Sequence, residues 1–357
     1  MDYLLLTPEL FGGDGGIGRM LRLYLKALCE LGGEGDRVRL LSLNDLVLDS
    51  TDLRRYSGGG LAEWEVCGRN KVRFCEAALR MGTRSQRIVC GHVAQLPLAW
   101  AACRFSTRKS YYLVAHGVEV WRPFSFLERR ALLGARLVLC VSEFTRDRLL
   151  EHCPVPRERT AVLPNALDPI LDPPSPADPA VDAPPVILAL SRLSTSDSYK
   201  GIDHLIEAMP AVRAAIPESR LRIVGRGDAL PGLQELAGRL GLRNTVEFPG
   251  YISDAELPSE FARCRLFALP SQKEGFGLVY IEAMANGRPC LGARSGGAPE
   301  VITPEAGVLV DYGDVPGIAA AIVAALRRRW PIGPIVERSR AFSYLRFKER
   351  LASLLST

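Results

Sequence analysis

Short apolar runs alternate with longer segments of helical period along almost the whole chain. This is the pattern of βαβ units built into parallel sheets. In the first half YLLLTP, RVRLLSL, RIVCGH, YYLVAHG, RLVLCVS and RTAVLP read as strands; a second series, PVILALSR, RLRIVG, TVEFPG, RLFALP and PCLGA, begins after residue 184. Between them residues 164–185, PNALDPILDPPSPADPAVDAPP, carry too much proline for a helix or a central strand and read as an interdomain linker. The expected fold class is α/β, with two doubly wound domains at 1–170 and 171–341 whose strand carboxyl ends line a cleft. The terminal run FSYLRFKERLASLL has helical spacing and is expected to return, over about 342–357, onto the first domain.

Composition adds bounds. At 357 residues the chain exceeds the size at which one core usually stops growing. The start, MDYLLLTPEL, lacks a basic leader and a long apolar stretch, so a soluble cytoplasmic protein is expected. Nine cysteines, with no C-x-x-C pair and several in apolar runs, read as buried reduced thiols. The net charge of +5 gives no reason to expect nucleic acid as a partner. Arginines cluster at 69–73, 80–87 and 104–109. Each cluster alone reads as a solvated basic face; together they leave open an attraction to anionic lipid or to a phosphorylated acceptor.

Candidate chemistry is concentrated in a few loops. TPELFGGDGGIGRM, residues 7–20, spells G-x-G-x-x-G through Gly13, Gly15 and Gly18 after the first strand, and Asp45 follows the second. That is the outline of a dinucleotide site, and a nicotinamide-dependent oxidoreductase is the reading it suggests in isolation. Residues 265–301 hold more. A strand ends near Pro270, Glu274-Gly275-Phe276-Gly277 form a loop, and a helix follows from about Leu278 to Asn286 with Gly287 after it. An anion suits the positive end of such a helix, and Glu274 and Glu282 would flank it with hydrogen-bond acceptors for sugar hydroxyls. Arg192 at a strand end and Lys200 before the next helix supply two cations for a leaving diphosphate. The chain has no D-x-D, which weakens the metal alternative, and no metal site and no cofactor are expected. His116, at the end of YYLVAHG, and His92, in CGH, lie at strand carboxyl ends and are cleft candidates, whereas His152 and His204 fall in helical stretches. Trp121, Phe124 and Phe126 follow His116 and serve either packing or an acceptor, and Asn165 shapes the hinge.

Glu274 and Glu282, together with Arg192, Lys200, VGRGD, VEFPGYISDAEL and SGGAPEV, resemble the retaining glycosyltransferase family 4. GGDGGIG, AHGVEVW, VSEFTRD and VLPNALD follow the family's order in the first half. The resemblance implies a GT-B fold of two Rossmann-like domains, the first for the acceptor and the second for the nucleotide sugar. It implies transfer of a hexosyl group from a nucleotide diphosphate sugar (UDP- or GDP-linked) to a hydroxyl of a carbohydrate or lipid-linked acceptor, without metal, in bacterial polysaccharide or lipid-linked glycan assembly. In similar enzymes the equivalent of Glu282 holds the ribose and that of Glu274 the donor sugar. Backbone amides of Phe276, Gly277 and Leu278, beside Gly275, meet sugar and phosphates, and Arg192 and Lys200 bind the β-phosphate. The base lies near Gly225 and Arg226 on one side and Tyr251, Ile252 and Ser253 on the other. Gly15 and Gly16 face the diphosphate and acceptor, His116 sits beside the anomeric centre, and Gly16, His92 and Trp121 are placed toward the acceptor. Peripheral attachment to the inner face of an anionic membrane fits this reading. A catalytically silent nucleotide-sugar or glycan-binding protein, an epimerase or a phosphorylase would keep the same scaffold.

Overall fold

The computed structural model describes residues 2–13, 15–33, 35–104, 106–170 and 184–356. Most of the linker read at 164–185 therefore lies outside the described residues, as do Asp14 and Phe105 of the loops discussed above. Contacts divide the chain into two compact units, Met1–Ile170 with Tyr344–Thr357, and Leu171–Ser343.

The first unit carries seven strands: β1 Asp2–Thr7, β2 Arg37–Ser42, β3 Leu61–Val66, β4 Arg87–Cys90, β5 Ser110–Ala115, β6 Leu137–Cys140 and β7 Thr160–Val162. They pair in the order β3-β2-β1-β4-β5-β6-β7, every pair parallel. The central strands are apolar without alternation because helices cover both faces: Leu4, Leu5 and Leu6 of β1 are wholly buried. β3 was not anticipated. It is an edge strand, LAEWEV, in which Ala62 and Trp64 are exposed while Glu63 and Glu65 are half-buried, and these two carboxylates bind Arg80 and Arg73 of the helix Lys71–Gly82. The terminal helix Tyr344–Ser356 belongs to this unit: Phe347 meets Tyr24 edge-on at 5.0 Å, and Tyr344 and Lys348 reach Glu30 at 3.0 and 2.9 Å.

The second unit carries β8 Val186–Leu190, β9 Arg220–Val224, β10 Val246–Gly250, β11 Leu266–Leu269, β12 Cys290–Ala293 and β13 Gly307–Val310. Their order is β10-β9-β8-β11-β12-β13, again all parallel. β13, a four-residue run missing from the sequence reading, closes the sheet beside β12.

In a parallel sheet every carboxyl end lies on one edge. Arg69 follows β3 and is on that edge in the first unit, but Arg84 precedes β4, and Arg104 and Arg108 precede β5. The basic clusters therefore sit on opposite edges and do not make one face. Arg87, at the start of β4, is partly buried and donates to the Tyr3 hydroxyl at 3.2 Å.

The thiols show no disulfide among the described residues; seven are buried, Cys29 is half-buried and Cys75 is exposed. Burial pushes Cys90 and Cys290 well above the usual thiol range.

Candidate functional site

In the second unit the site grows from three strand ends. After β8 the chain passes Ser191 and Arg192 into a short 3₁₀ turn, Thr195–Lys200, before the helix Ile202–Ala215. Arg192 Nε donates to the buried carboxylate of Asp197 at 2.6 Å, and the Tyr199 hydroxyl donates to its other oxygen at 3.0 Å. Burial alone raises Asp197, but Arg192, Tyr199 and nearby Lys200 outweigh it and hold the carboxyl below its usual range. A charged Asp197 thus fixes an otherwise long, mobile guanidinium. Lys200 Nζ and Lys273 Nζ each lie 5.6 Å from the Tyr199 ring centre. A cavity of about 350 Å³ opens beside Arg192, with Leu193, Ile202, Ala229 and Leu233 among its walls.

After β11 the chain runs through residues 271–277 into the helix Leu278–Ala285. Lys200 Nζ meets Glu274 Oε2 at 2.8 Å. Phe276 is buried and packs edge-on against Phe342 at 5.2 Å, so only its peptide group belongs to the site. The peptide groups of Phe276, Gly277 and Leu278 lie at the positive end of the helix dipole, and Lys200 is held to the preceding loop by Glu274. Glu282 is partly buried one turn into the helix, with Asn286 bonded to its carbonyl. The loop is braced by residues 295–297: a Cβ on Gly296, whose φ is +62°, would fall 2.3 Å from the Glu274 carbonyl. That close approach admits only glycine.

After β9, Gly225 has φ of +147° and packs on the Ser191 carbonyl, where a Cβ would lie at 1.8 Å. The Arg226 guanidinium stacks over the half-exposed Tyr251 ring at 4.6 Å. Ser253, expected to face the base, donates from both its N–H and its hydroxyl to Glu256, at 3.0 and 2.6 Å. Its polar groups serve the loop, which leaves Tyr251 and Ile252 as the exposed and half-buried faces there.

In the first unit the glycine loop follows β1, and Gly15 caps the helix Gly16–Leu31. The acid that suggested a dinucleotide site is committed elsewhere. Asp45 is 1% exposed and its carboxylate accepts from the N–H groups of Leu10, Phe11 and Gly12, at 2.8, 3.1 and 2.7 Å, and from the Ser42 hydroxyl. It ties down the loop and has no reach to a ribose, which removes the hydride-transfer reading. Gly18 approaches the Leu10 carbonyl, a packing role, while a Cβ on Gly15 would meet nothing within 4 Å among the described residues beyond its own chain neighbours.

His116 follows β5. Its Nε2 is 3.1 Å from the Gly91 carbonyl, an oxygen that only accepts, so Nε2 carries the proton and Nδ1 the lone pair. Burial pushes this imidazole down to about 3, with His92 adding to the shift and the Gly91 bond opposing it. His116 is therefore neutral across the physiological range. Its backbone N–H and that of Gly117 donate to Glu119, a carboxyl that burial raises. His92 uses Nδ1 to accept from Ala94 N–H at 3.1 Å, and burial together with Arg122 lowers it. Trp121 packs edge-on against Phe144 at 5.1 Å. Its buried indole N–H has no hydrogen-bond partner among the described residues, nor has either end of the Gln95 amide, which is 4% exposed on the turn after His92.

Asp197, Tyr199, Glu119 and Gln95 were absent from the sequence reading. TSDSYK does show an acid and a phenol between the two cations. Glu119 and Gln95 acquire meaning only through burial, which no local pattern displays.

Comparison with known proteins follows the two-unit division. The family described as Glycosyltransferase Family 4 matches residues 15–170, and the family described as Glycosyl transferases group 1 matches residues 184–328. A Mycolicibacterium smegmatis GDP-mannose-dependent alpha-(1-6)-phosphatidylinositol monomannoside mannosyltransferase is 36% identical over 255 residues. That match takes in 65% of this chain and 65% of the relative's length. Among solved structures, the Anabaena HepE protein in complex with UDP superposes with a TM-score of 0.78 at 23% identity, covering all of both chains. Sucrose-phosphate synthase from Thermosynechococcus elongatus gives 0.77 at 20% identity, over 100% of this chain and 98% of that one. The architecture is thus the GT-B pairing of Rossmann-like units.

Proposed function

Because the chain belongs to glycosyltransferase family 4, we propose that it moves a hexosyl group from a nucleotide diphosphate sugar to an acceptor hydroxyl, with retention and without metal. The observation that carries this reading is the Lys200–Glu274 ion pair in the loop that leads into the helix Leu278–Ala285, with Glu282 one turn inside that helix and Arg192 held by Asp197 on the same strand-end loop as Lys200. Two cations and a helix N-terminus suit a diphosphate, and two carboxylates suit the hydroxyls on either side of it. Glu282 takes the ribose, Glu274 the transferred sugar, and the Arg226–Tyr251 wall the base.

In the reaction the bond from the anomeric carbon to the β-phosphate oxygen breaks, and the acceptor oxygen bonds to that carbon on the same face. The acceptor proton passes to the departing phosphate oxygen. Arg192 and Lys200 stabilise the charge that develops there. His116, neutral and held in one tautomer, orients groups near the anomeric centre and does not act as a charged acid.

The mycobacterial relative makes GDP-mannose the first donor to test and a lipid-linked polyol the first acceptor class. The experiment is a thermal-shift and turnover panel of GDP- and UDP-sugars. A ligand at 100 times its dissociation constant stabilises by about 2.7 kcal/mol, so the base should declare itself. No shift with any nucleoside diphosphate refutes the reading.

A further inference from the structure

His116 is held at three points, and one of them is a side chain with no role so far. The Ala115 carbonyl ahead of it accepts from the N–H of Val141, just past β6, at 3.1 Å. Its ring is tied through Nε2–H to the Gly91 carbonyl at 3.1 Å. Gly91 is itself fixed: its N–H donates to Leu6 of β1 at 2.8 Å, and a Cβ there would fall 2.6 Å from Leu21. Both anchors are main-chain groups of neighbouring strands. The third is Glu119, whose Oε1 accepts from the N–H of His116 at 2.5 Å and from that of Gly117 at 3.2 Å.

Those two N–H groups belong to the peptide bonds on either side of His116. Gly117, with φ of +151° and ψ of −115°, takes a conformation open chiefly to glycine, and the turn it makes presents both donors to one carboxylate. An acid that reaches back in this way usually caps the start of a helix. Here the turn that follows, Val118–Val120, has three residues, and there is no helix for the cap to serve. Nor is Glu119 part of an ion pair among the described residues, since nearby Arg122 is taken by Glu128 at 2.8 Å. A partly buried carboxylate without a cation costs stability, and one kept beside a residue at the reacting centre points to the reaction rather than to packing.

We propose that Glu119 is a positioning residue. Its carboxylate fixes the two peptide groups that flank His116 and so aims the Nδ1 lone pair of that imidazole, without touching substrate itself. The inference rests on the reading that places His116 beside the anomeric centre. A group displaced by about 1 Å can cost about 10²-fold in rate, so the loss should fall on kcat.

The test uses the full chain and the donor selected by thermal shift. Glu119→Gln keeps an oxygen at the same reach without charge, and Glu119→Asp keeps the charge one methylene short. Glu119→Ala and Glu119→Asp should lose about tenfold or more in kcat with donor KM within about twofold, and Glu119→Gln should recover most of that loss. His116→Ala/Glu119→Ala should be no slower than His116→Ala. Long-range proton–nitrogen NMR of the His116 ring needs no turnover: wild type and Glu119→Gln should show the Nε2–H tautomer, and Glu119→Ala a mixture of tautomers. Where Glu119→Ala gives no folded protein, Glu119→Asp takes its place in every comparison. All variants should keep wild-type affinity for nucleoside diphosphate, which separates this inference from the reading of the donor site. Wild type inactive with every nucleotide sugar would defeat the enzyme reading, and the ring signature would still decide on the clamp. Glu119→Gln as slow as Glu119→Ala would give the role to charge instead of position. That result, losses that multiply in the double variant, a change confined to KM, or an unaltered ring signature in Glu119→Ala would each overturn the inference.

Discussion

Lys200 and Glu274 form an ion pair at 2.8 Å, both largely shielded from solvent. A cation meant for phosphate and a carboxylate meant for a sugar thus neutralise each other before substrate arrives. Removing the acid leaves the lysine charge uncompensated and available to a diphosphate. Glu274→Gln should therefore bind free nucleoside diphosphate as well as or better than wild type, while turnover falls about 10²-fold or more. Calorimetry that shows weaker nucleotide binding by this variant contradicts the assignment.

Glu282 is assigned the opposite behaviour. Its replacement by Ala should weaken nucleoside diphosphate binding by about 1.5 to 3 kcal/mol, the range for hydrogen bonds to a charged group. Equal losses in the Glu274 and Glu282 variants would end the division of labour between them.

Arg192 is positioned by Asp197, so the two should act as a unit. Arg192→Ala should cost about 10²-fold or more in turnover and Asp197→Asn about tenfold. The double variant should be no worse than Arg192→Ala alone. Additive losses would show that Asp197 acts through something other than the arginine.

The His116 shift has a consequence for stability. The unfolded chain protonates this imidazole below about 6.5, whereas the folded protein does so only near 3. The contribution is complete above about pH 6.5 and is lost as pH falls from there towards 3, by up to about 1.4 kcal/mol per pH unit. His92, also lowered by burial, acts in the same direction. Urea denaturation of His116→Asn should lose less stability than wild type between pH 7 and 5; parallel losses would contradict a neutral, buried His116.

These side chains differ in how far the sequence revealed them. The parallel sheets were legible because their strands are buried on both faces and read as unbroken apolar runs. β3 and β13 escaped: one alternates at an edge and puts glutamates on its half-buried face, the other is only four residues long. Arg192, Lys200, Glu274 and Glu282 stand out in the sequence because charged residues beside glycine-rich loops at strand ends are the pattern phosphate chemistry needs, and the role proposed for them rests on that pattern. Asp45 was seen but misread in isolation, since an acid after the second strand serves a ribose or a loop equally well until its donors are known. Asp197 and Glu119 work through partners that folding brings within reach, and neither has a signature of its own.

Gly15 separates packing from function. Its backbone is extended and a methyl group there meets open space, so Gly15→Ala should change stability by no more than about 0.5 kcal/mol. If the loop faces substrate, turnover should nevertheless fall at least tenfold. A variant with wild-type activity would place the loop away from the reaction.

The central claim is retaining, metal-free transfer from a nucleotide diphosphate sugar. NMR assignment of the anomeric configuration of the first-formed product, from the donor selected by thermal shift and with EDTA present throughout, tests it most directly. The account predicts a product with the donor's own anomeric configuration at an undiminished rate; the opposite configuration, or turnover that stops in EDTA and returns with magnesium or manganese, would contradict it.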